Sequence, residues 1–407
     1  MNMKIEASTV KGFQDFLPPE SLKREAVKKI VEKYFKLYGF QPIETPVIEF
    51  DELMQSDDLG EEDEAISDRF RLQDRGKRNL GLRYEFTFQL ARIFKENPNI
   101  KLPFRRYQIG EVFRDEPISA GRFRQFTQCD IDIIGDPTIA ADADCVAAFS
   151  DILKELKIDS VIEINNRKLL NAIIESIEIK KPKRVMREID KIDKIGEDEV
   201  KSNLRKYADT NQILTLFKLL EKDLKFFKQN AFDGAEELED LTEECKIRGA
   251  KVKFNPFLTR GLGYYTGNVF EIKQAGGKSM AGGGRYDKSV GKFLGKEIPA
   301  VGISFGLERM IKLATIKTKP IPKALLISIS QGVNTEKLAR SLRKAGVSCI
   351  TTDNKIGKAL EYANSLQIPY VVFIGSEEIE KKKYKLKNMT TGSEKLLSEK
   401  QLIKTLR

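Results

Sequence analysis

Arginine, carboxyl and amide side chains dominate one stretch of this sequence, from Tyr107 to Asp132. The pattern predicts two strands joined by a charged loop that contains Arg114, Glu116 and Arg122. Guanidinium groups bind phosphate through paired hydrogen bonds, so these residue types favour phosphate recognition. An ordinary solvated sheet face would show a similar alternation of residues. The polar face of the second strand carries Arg122, Arg124, Phe126, Gln128, Asp130 and Asp132, and the other face is apolar.

The sequence contains no histidine, which excludes Ser-His and Cys-His nucleophiles and any histidine metal ligand. Its four cysteines are far apart and form no CxxC pair, so neither a disulfide framework nor a zinc site is indicated. We expect them to be small core residues. Chemistry in this protein must therefore depend on carboxylates, arginines and lysines.

The composition describes a chain long enough for two or three domains, with 407 residues, 41% hydrophobic and 32% charged. No run of about 18 apolar residues is present to span a bilayer. The N-terminal residues MNMKIEASTVKGF lack the apolar region of a signal peptide. We therefore expect no membrane association and a cytoplasmic location.

The net charge of +10 is concentrated near the C-terminus. Residues 323–407 contain 16 Lys and Arg against 8 Asp and Glu, which is +8. This distribution predicts that a polyanion binds at that end of the chain. Lysine enrichment for solubility would give the same composition.

Several elements that would position the polar residues can be predicted along the chain. Pro19 can start a helix whose apolar residues recur four apart, and two prolines in residues 40–49 predict an edge strand. Residues 136–156 look helical, and the Lys- and Glu-rich residues from about 165 to 250 predict further helices. After a linker at 316–322, strands and helices alternate as in a small α/β domain. The apolar helix positions are Ala26, Ile30, Tyr34 and Tyr38.

Three further segments combine glycine with chemically useful side chains. They are Arg260-Gly-Leu-Gly-Tyr-Tyr265, the glycine turn that leads to Tyr286, and a strand running into a helix at Glu308-Arg309. Glycines allow close approach of the backbone to a ligand, although glycines in a hairpin would look the same.

Taken in chain order, several segments of this sequence resemble the motifs of class II aminoacyl-tRNA synthetases. Residues 40–49 with the preceding helix resemble motif 1, and residues 82–87 resemble the Leu-Arg-x-Glu-x-Thr segment. Residues 113–126 resemble motif 2, and RFRQFTQCDIDIIG at 122–135 is similar to its form in histidyl-tRNA synthetases. The segments at 260–265 and 282–287 resemble the two histidine-specific motifs, and residues 300–309 resemble motif 3.

The resemblance implies a fold and a set of partners. The fold class would be an α+β catalytic domain on an antiparallel sheet, with a helical insertion and a small α/β C-terminal domain. Residues 1–320 would form the class II core, interrupted by the insertion at about 168–245, and 323–407 the anticodon-binding domain. The implied partners are ATP, L-histidine, tRNA(His) and a second copy of the chain, because motif 1 builds the dimer interface in the family.

The resemblance also implies roles for individual residues. Arg114 and Arg260 would act in catalysis at the α-phosphate, and ATP would be bound by Arg114, Glu116, Arg122 and Arg309. Mg²⁺ would accompany ATP, with no metal-binding side chain identified. Glu85 and Thr87 would anchor the amino group of histidine, with Gln128 close by in the histidine site. The remaining residues of the histidine site would be Asp132, Arg260, Tyr264, Tyr265 and Tyr286, with Asp132 and Tyr265 reading the imidazole.

Two positions depart from the family pattern. Gly263 stands where the first histidine-specific motif usually has aspartate, so the loop that follows Arg260 is less restrained. The motif 2 loop reads Pro117-Ile118-Ser119-Ala120, whereas many bacterial members have Arg-Pro-Gln there to read the extra guanosine of the tRNA. How the tRNA is identified is therefore open.

Two other functions are compatible with parts of the resemblance. One is the synthetase-like, non-catalytic regulatory subunit of ATP phosphoribosyltransferase, which senses histidine. The retained ATP arginines and C-terminal domain weigh against it. The other is a synthetase for another amino acid, against which Gln128, Asp132 and the Tyr264-Tyr265 pair weigh.

The absence of histidine also predicts how activity depends on pH. An inflection near pH 6.5 should belong to the substrate imidazole, since no side chain here ordinarily titrates there. The exception would be a pocket carboxylate whose pKa is raised by burial, with Glu85 and Asp132 as the first suspects.

Overall fold

The computed structural model describes residues 7–54, 68–119, 122–260, 264–275, 277–318 and 320–407. The chain divides into two compact units, Met1–Ile316 and Lys317–Arg407. The loop glycine Gly263 and the end of the motif 2 loop lie outside the described residues.

The strands of the first unit are numbered in chain order. They are β1 (Gln41–Pro42), β2 (Ile48–Phe50), β3 (Arg71–Gln73), β4 (Asn79–Leu82), β5 (Phe104–Phe113), β6 (Gln125–Ile134), β7 (Ser160–Asn166), β8 (Val252–Phe254), β9 (Asn268–Gln274), β10 (Ser279–Arg285) and β11 (Ala300–Gly306).

The helices of the first unit are grouped before, within and after the predicted insertion. They are α1 (Glu20–Leu37), α2 (Phe88–Glu96), α3 (Ile139–Glu155), α4 (Arg167–Ser176), α5 (Pro182–Ile189), α6 (Ile192–Ile195), α7 (Glu197–Leu204), α8 (Thr210–Leu220), α9 (Leu224–Gln229), α10 (Ala235–Ile247) and α11 (Leu307–Leu313). Short 3-10 helices lie at Asp51–Met54 and Lys292–Leu294.

An eight-stranded sheet organises this unit, with strand order β1-β5-β6-β11-β10-β9-β7-β8. Its six inner strands are antiparallel to one another, and β1 and β8 pair in parallel at the two edges. The strand that contains Pro42 lies at an edge, as its missing N–H predicts. The class II α+β fold predicted from the sequence is confirmed.

The two faces of the sheet differ as the alternation in β6 predicts. One face contributes Cys129, Ile131 and Ile133 to the main hydrophobic core, together with apolar residues of β7, β9 and β11. The core is completed by helices, including α1 and α3. The opposite face carries the polar and glycine residues, so it is the face available for chemistry.

Helix α1 buries a different stripe from the predicted one. Its fully buried residues are Val27, Val31 and Phe35, one position along from the predicted apolar set. Tyr34 and Tyr38 lie at the margin instead, because their hydroxyl groups donate to Glu155 and Asp151 at the surface.

The residues between β7 and β8 form the helices α4 to α10, as their composition predicts. These helices bury aliphatic and aromatic residues in the same core cluster as the large sheet. The assignment of about 168–245 as a separate functional insertion stays a prediction.

A second, three-stranded sheet with order β2-β4-β3 lies in the motif 1 region. Three of its apolar side chains are exposed: Ile48 at 47%, Phe50 at 51% and Leu72 at 38%. These side chains lie on β2 and β3, the two strands that flank β4, and exposed apolar residues grouped on one sheet are typical of interaction surfaces.

The second unit is an α/β domain with a five-stranded sheet, whose spatial order is β13 (Cys349–Thr352), β12 (Ala324–Ser328), β14 (Tyr370–Ile374), β15 (Tyr384–Asn388) and β16 (Glu394–Leu397). Its first three strands are parallel and alternate with helices, as predicted, and a C-terminal antiparallel hairpin and helix follow, which the sequence patterns did not indicate. The elements are β12 (Ala324–Ser328), α12 (Gly332–Lys344), β13 (Cys349–Thr352), α13 (Ile356–Ser365), β14 (Tyr370–Ile374), α14 (Ser376–Glu380), β15 (Tyr384–Asn388), β16 (Glu394–Leu397) and α15 (Glu399–Leu406).

The four cysteines are free and buried in the cores of the two units, which confirms their predicted role. Among the described residues, no helix is both long enough and apolar enough to cross a bilayer.

Candidate active site

A cleft of about 650 Å³ opens on the polar face of the large sheet. Every predicted site residue lines it, although these residues come from distant parts of the chain. The residues brought together are Glu85, Thr87, Arg114, Glu116, Arg122, Gln128, Asp132, Arg260, Tyr264, Tyr265, Tyr286 and Arg309.

Glycines form much of the cleft floor because side chains there would fill the space. Gly302 is paired across the strands with Asp132, and a Cβ atom at Gly302 would collide with that carboxylate. A Cβ atom at Gly282 would lie 2.7 Å from Nε of Arg260. The glycine-rich motifs therefore make room for the functional side chains.

Asp132 lies at the bottom of the cleft and is held by two neighbours. One carboxylate oxygen is 2.5 Å from Nη2 of Arg106, and the other accepts a hydrogen bond from the hydroxyl of Tyr286. Burial raises the pKa of Asp132, while the Arg106 charge and the Tyr286 hydrogen bond oppose that rise. Arg106 itself is fully buried.

Tyr286 is positioned by its neighbour Arg285. The guanidinium of Arg285 donates to the carbonyls of Asp136 and Thr138 at the start of α3, and to the buried carboxylate of Asp142. This network fixes the end of β10, so Tyr286 is directed at Asp132.

The two tyrosines of the first histidine-specific motif stand beside this pair. The hydroxyl of Tyr264 lies 3.2 Å from that of Tyr265, and its ring packs edge-on against Tyr286. Burial raises the pKa of Tyr265 to about 12, so its phenol stays protonated at neutral pH. The three phenols and Asp132 form a pocket with both donors and acceptors for a flat polar ring.

Gln128 and Arg114 form the next section of the cleft. Nη2 of Arg114 donates to Oε1 of Gln128 over 3.2 Å, and its guanidinium lies over the rings of Tyr84 and Phe126. These aromatic faces orient the guanidinium without neutralising it. Arg114 has no ion pair among the described residues.

Glu85 and Thr87 directly precede α2 and line the same cleft as Gln128. Burial raises the pKa of Glu85, whereas the positive charge of Arg114 and the hydrogen bond from Thr87 lower it. The nearby charge of Asp132 adds to the rise, so these two carboxylates influence each other.

Arg260 crosses the glycine floor to reach β9 and β10. Its Nη1 atom lies 2.5 Å from Oε1 of Glu271 and 2.6 Å from Oγ of Ser279, and its side chain is 42% exposed. The backbone carbonyl of Arg260 accepts from the buried guanidinium of Arg167 over 3.1 Å. Arg167 thereby anchors the start of the loop that continues into residues 261–263, outside the described part.

Arg309 lies in the first turn of α11 and donates to the carbonyl of Ser279. Burial lowers its pKa, and the positive charges of Arg260 and Arg122 lower it further. Three guanidinium groups are therefore close enough to repel one another at this end of the cleft, which suits a polyanion.

The motif 2 loop is closed by a pair across its two ends. Arg122 binds Glu116 through its guanidinium, and the hydroxyl of Tyr84 donates to the same carboxylate over 3.2 Å. The side chain of Arg122 remains 56% exposed, so it can exchange this partner for a ligand.

Sequence reasoning did not identify four residues that shape the site. Arg106 and Glu271 are cross-strand neighbours of predicted residues, and only the strand register reveals them. Asp130 shares the alternating polar face with Gln128 and Asp132, so that signal was present. Asp193, on α6, accepts from Lys273 of β9 over 3.0 Å and brings the helical segment to the cleft wall.

No group of three or more Cys, Asp or Glu residues that could hold a metal ion occurs among the residues with described positions. Glu116 and Glu271, two of the carboxylates near the arginines of the cleft, are already paired with arginines. A divalent cation would therefore depend on oxygen ligands that a phosphate substrate brings with it.

A mostly antiparallel sheet with a cationic cleft built from motifs 2 and 3 defines a class II aminoacyl-tRNA synthetase. The family model for histidyl-tRNA synthetase matches residues 12–310, and that for the anticodon binding domain matches residues 323–407. The chain therefore belongs to the histidyl-tRNA synthetase family. It is a ligase, and the reaction of this family, the ATP-dependent joining of histidine to tRNA, is its function.

Individual histidine–tRNA ligases are similar to this protein over nearly its whole length. Histidine–tRNA ligase 1 of Bacillus cereus is 40% identical, and the match covers 96% of this chain and 95% of that protein. Histidine–tRNA ligase of Finegoldia magna is 34% identical over 99% of this chain and all of that protein. The crystal structure of histidyl-tRNA synthetase from Nostoc sp. PCC 7120 has a TM-score of 0.88 at 30% identity and covers 99% of both chains.

A solved structure related to the alternative function, the regulatory subunit, shares the fold of this chain. A structure titled ATP phosphoribosyltransferase regulatory subunit/histidyl-tRNA synthetase, from Bacillus halodurans, has a TM-score of 0.75 at 21% identity. It covers 89% of this chain, and identity at this level shows the shared fold alone.

Proposed function

We propose that the cleft binds histidine at its carboxylate and tyrosine end and ATP at its arginine end. One observation carries this proposal: the predicted residues of the Leu-Arg-x-Glu-x-Thr segment, motif 2, the two histidine-specific motifs and motif 3 line a single cleft. Asp132 and the three phenols form one pocket of it, and Arg122, Arg260 and Arg309 lie close together elsewhere in it. The amino group of histidine would bind Glu85, Thr87 and Gln128, whose side-chain oxygens can accept hydrogen bonds and which line the same cleft.

The imidazole ring would enter the pocket of Asp132 and the three phenols. Arg106 and Tyr286 stabilise the carboxylate form of Asp132 against the effect of burial, and that carboxylate can accept from a ring N–H. Tyr265 can donate to the other ring nitrogen, since its phenol stays protonated. An apolar side chain of similar size would leave Asp132 buried without this partner, which disfavours its binding.

The first chemical step needs alignment of substrates and no protein nucleophile. The carboxylate of histidine attacks the α-phosphorus, and pyrophosphate leaves as the acyl-adenylate forms. Arg114 and Arg260 would bind the α-phosphate oxygens, and Arg260 would also orient the carboxylate. Arg309 and Arg122 would hold the departing phosphates, with Arg309 on the γ-phosphate. The terminal ribose hydroxyl of the tRNA then attacks the acyl carbon and releases AMP.

Arg260 has to change partners for this step. In the structure its guanidinium is paired with Glu271, so binding of phosphate would share or replace that ion pair. Glu271 is also 3.5 Å from Nζ of Lys273, and this second cation compensates the carboxylate when Arg260 turns to the substrate.

Mg²⁺ fits this site as a companion of ATP. Arg122 and Arg260 share their positive charge with Glu116 and Glu271, so the arginines of the cleft neutralise only part of the polyphosphate charge. Mg²⁺ would supply the remaining positive charge while bound mainly by phosphate oxygens and water.

A homodimer is proposed for the motif 1 region. Exposed Ile48, Phe50 and Leu72 on the three-stranded sheet support it, since a second copy would cover these side chains. The cytoplasmic location stays a prediction.

The second unit is proposed to bind the anticodon arm of tRNA(His). Its match to the anticodon binding domain and its charge of +8 over residues 323–407 support this role. We expect that a chain ending at residue 322 forms adenylate at a near-normal rate but charges tRNA poorly. The defect should be largest at low salt, because the contribution of lysine–phosphate contacts weakens as salt rises.

Pyrophosphate exchange and tRNA charging, measured from low to high salt, test whether the first unit forms adenylate and the second unit binds tRNA. Sedimentation of the truncated chain is the control for its oligomeric state. Normal charging by the truncated chain at low salt would refute the tRNA-binding role. Loss of both reactions in a correctly assembled truncated chain would show that the first unit cannot form adenylate without the second.

A further inference from the structure

Asp130 is a buried carboxylate of the cleft that the proposed reaction does not use. It lies between Gln128 and Asp132 on the same face of β6, and it is 2% exposed. Its Oδ2 atom accepts from Nε2 of Gln128 over 3.1 Å, while Oε1 of Gln128 accepts from Arg114. Asp130 therefore sets which end of the Gln128 amide is presented to Arg114.

The other oxygen of Asp130 has no hydrogen-bond partner within the described structure, although it is buried. Unpaired buried oxygens are uncommon because each loses its hydration without compensation. The residue lines the cleft, so a ligand that carries N–H groups can supply the missing partner.

Charged groups from several elements act on Asp130. Arg106 on β5 favours its ionised form, whereas Asp132 on β6 and Glu85 before α2 oppose it. Ser304, opposite on β11, is near enough for its side chain to favour the ionised form, although it makes no hydrogen bond to the unpartnered oxygen. Burial is the largest influence, and together these effects raise the pKa of Asp130 to about 7.

We propose that Asp130 is a positioning residue of the histidine site that orients Gln128 and ionises when the ammonium group of histidine binds beside it. This inference rests on the proposed position of that ammonium group next to Glu85, Thr87 and Gln128. The proton released by the Asp130 carboxyl group passes to solvent, and the carboxylate left behind neutralises the incoming positive charge.

The sign of the pH dependence follows from this scheme. Above pH 7 Asp130 is already charged, and the ammonium group binds without proton release. Below pH 7 the carboxyl group is neutral, so binding must displace a proton and the affinity for histidine falls as pH falls. Between pH 8 and pH 6 the KM for the amino acid should rise about tenfold.

A histidine analogue with a triazole ring separates this effect from titration of the substrate ring. With the analogue, we expect the wild-type KM in pyrophosphate exchange to keep its rise below pH 7. Asp130→Asn retains an oxygen that can accept from Gln128 but cannot ionise. This variant should show a high KM that changes less than about twofold from pH 8 to pH 6.

Proton release can also be measured without turnover. Calorimetric titration of the full-length wild type with the analogue at pH 7, in buffers of different ionisation enthalpy, should show release of about half a proton. Asp130→Asn should release almost none. No proton release from the wild type, or an unchanged pH profile in Asp130→Asn, would overturn the inference.

Glu85→Gln distinguishes this inference from the proposed binding site. If Glu85→Gln weakens binding of the analogue at every pH while Asp130→Asn keeps the wild-type inflection, the site stands and the role of Asp130 is refuted. If Glu85→Gln binds the analogue normally, the proposed position of the ammonium group is wrong, and the inference falls with it.

Discussion

Arg260→Ala should lower the rate of histidine-dependent pyrophosphate exchange by two to three orders of magnitude. Arg260 is proposed to bind the α-phosphate, where negative charge changes most in the transition state. Loss of one such contact to the transition state costs about 3 to 4 kcal/mol. The fold should survive, because the side chain is 42% exposed and its backbone is held by Arg167.

Arg260→Lys is the matched control for this prediction. It keeps the positive charge but loses the paired donors of the guanidinium, so we expect a smaller loss than in Arg260→Ala. Circular dichroism and thermal melting would establish that both variants fold. Near-normal exchange by a folded Arg260→Ala variant would show that Arg260 takes no part in adenylate formation.

Arg106→Met should destabilise the first unit by about 3 to 5 kcal/mol. The Arg106 side chain is fully buried, and its Nη2 atom lies 2.5 Å from the carboxylate of Asp132. Methionine fills much of the volume but leaves Asp132 buried without a counter-charge. Chemical denaturation, followed for the transition of the first unit, measures the loss.

The pH dependence and a double variant test the cause of that loss. Without Arg106 the carboxyl group of Asp132 can take up a proton, so the loss should be smaller at pH 5 than at pH 8. The additional substitution Asp132→Asn should recover part of the stability. A loss that is independent of pH, with no recovery in the double variant, would mean that lost packing and not the unpaired charge is responsible.

The sequence predicts the local elements of the site well because their signals are local. Alternation in β6 separates Gln128 and Asp132 from the core residue Ile131, and the structure has that arrangement. The glycines beside Arg260 and Tyr286 likewise indicate close approach, and Gly282 does lie under the arginine.

The remaining features depend on which strands are neighbours, and a single sequence does not show this. Arg106 meets Asp132 only because the register of β5 on β6 pairs them. Glu271 meets Arg260 because β9 and β10 lie together in the sheet, with Gly282 paired to Glu271.

Two other features differ from the sequence prediction because burial competes with polar interactions: the buried face of α1 and the pKa of Asp130. In α1, residues such as Tyr34 fit the helical spacing, but their hydroxyl groups favour the margin, so Val27 and Phe35 take the buried positions. For Asp130, the sequence likewise predicts the position of the side chain but not its pKa. Its position on the polar face was predictable, but its pKa depends on burial and on charges from other strands.

This electrostatic result changes the expected origin of the pH dependence. From sequence, the substrate imidazole was the expected titrating group, with Glu85 and Asp132 as the possible exceptions. In the structure, burial raises the pKa of both Glu85 and Asp132. It also raises the pKa of Asp130 to about 7, which is close to the pKa of the substrate imidazole. An enzyme group is therefore expected to contribute, and the triazole analogue tests that contribution directly.

Pyrophosphate exchange with a panel of amino acids tests the central claim most directly. The pocket of Asp132 and its phenols predicts exchange that depends on L-histidine and ATP, with at most weak exchange for other amino acids. Transfer of the same amino acid to tRNA(His) should follow. Exchange with a different amino acid would contradict the assigned specificity, and no exchange with histidine by the folded full-length protein would contradict catalytic function and favour a histidine-sensing role.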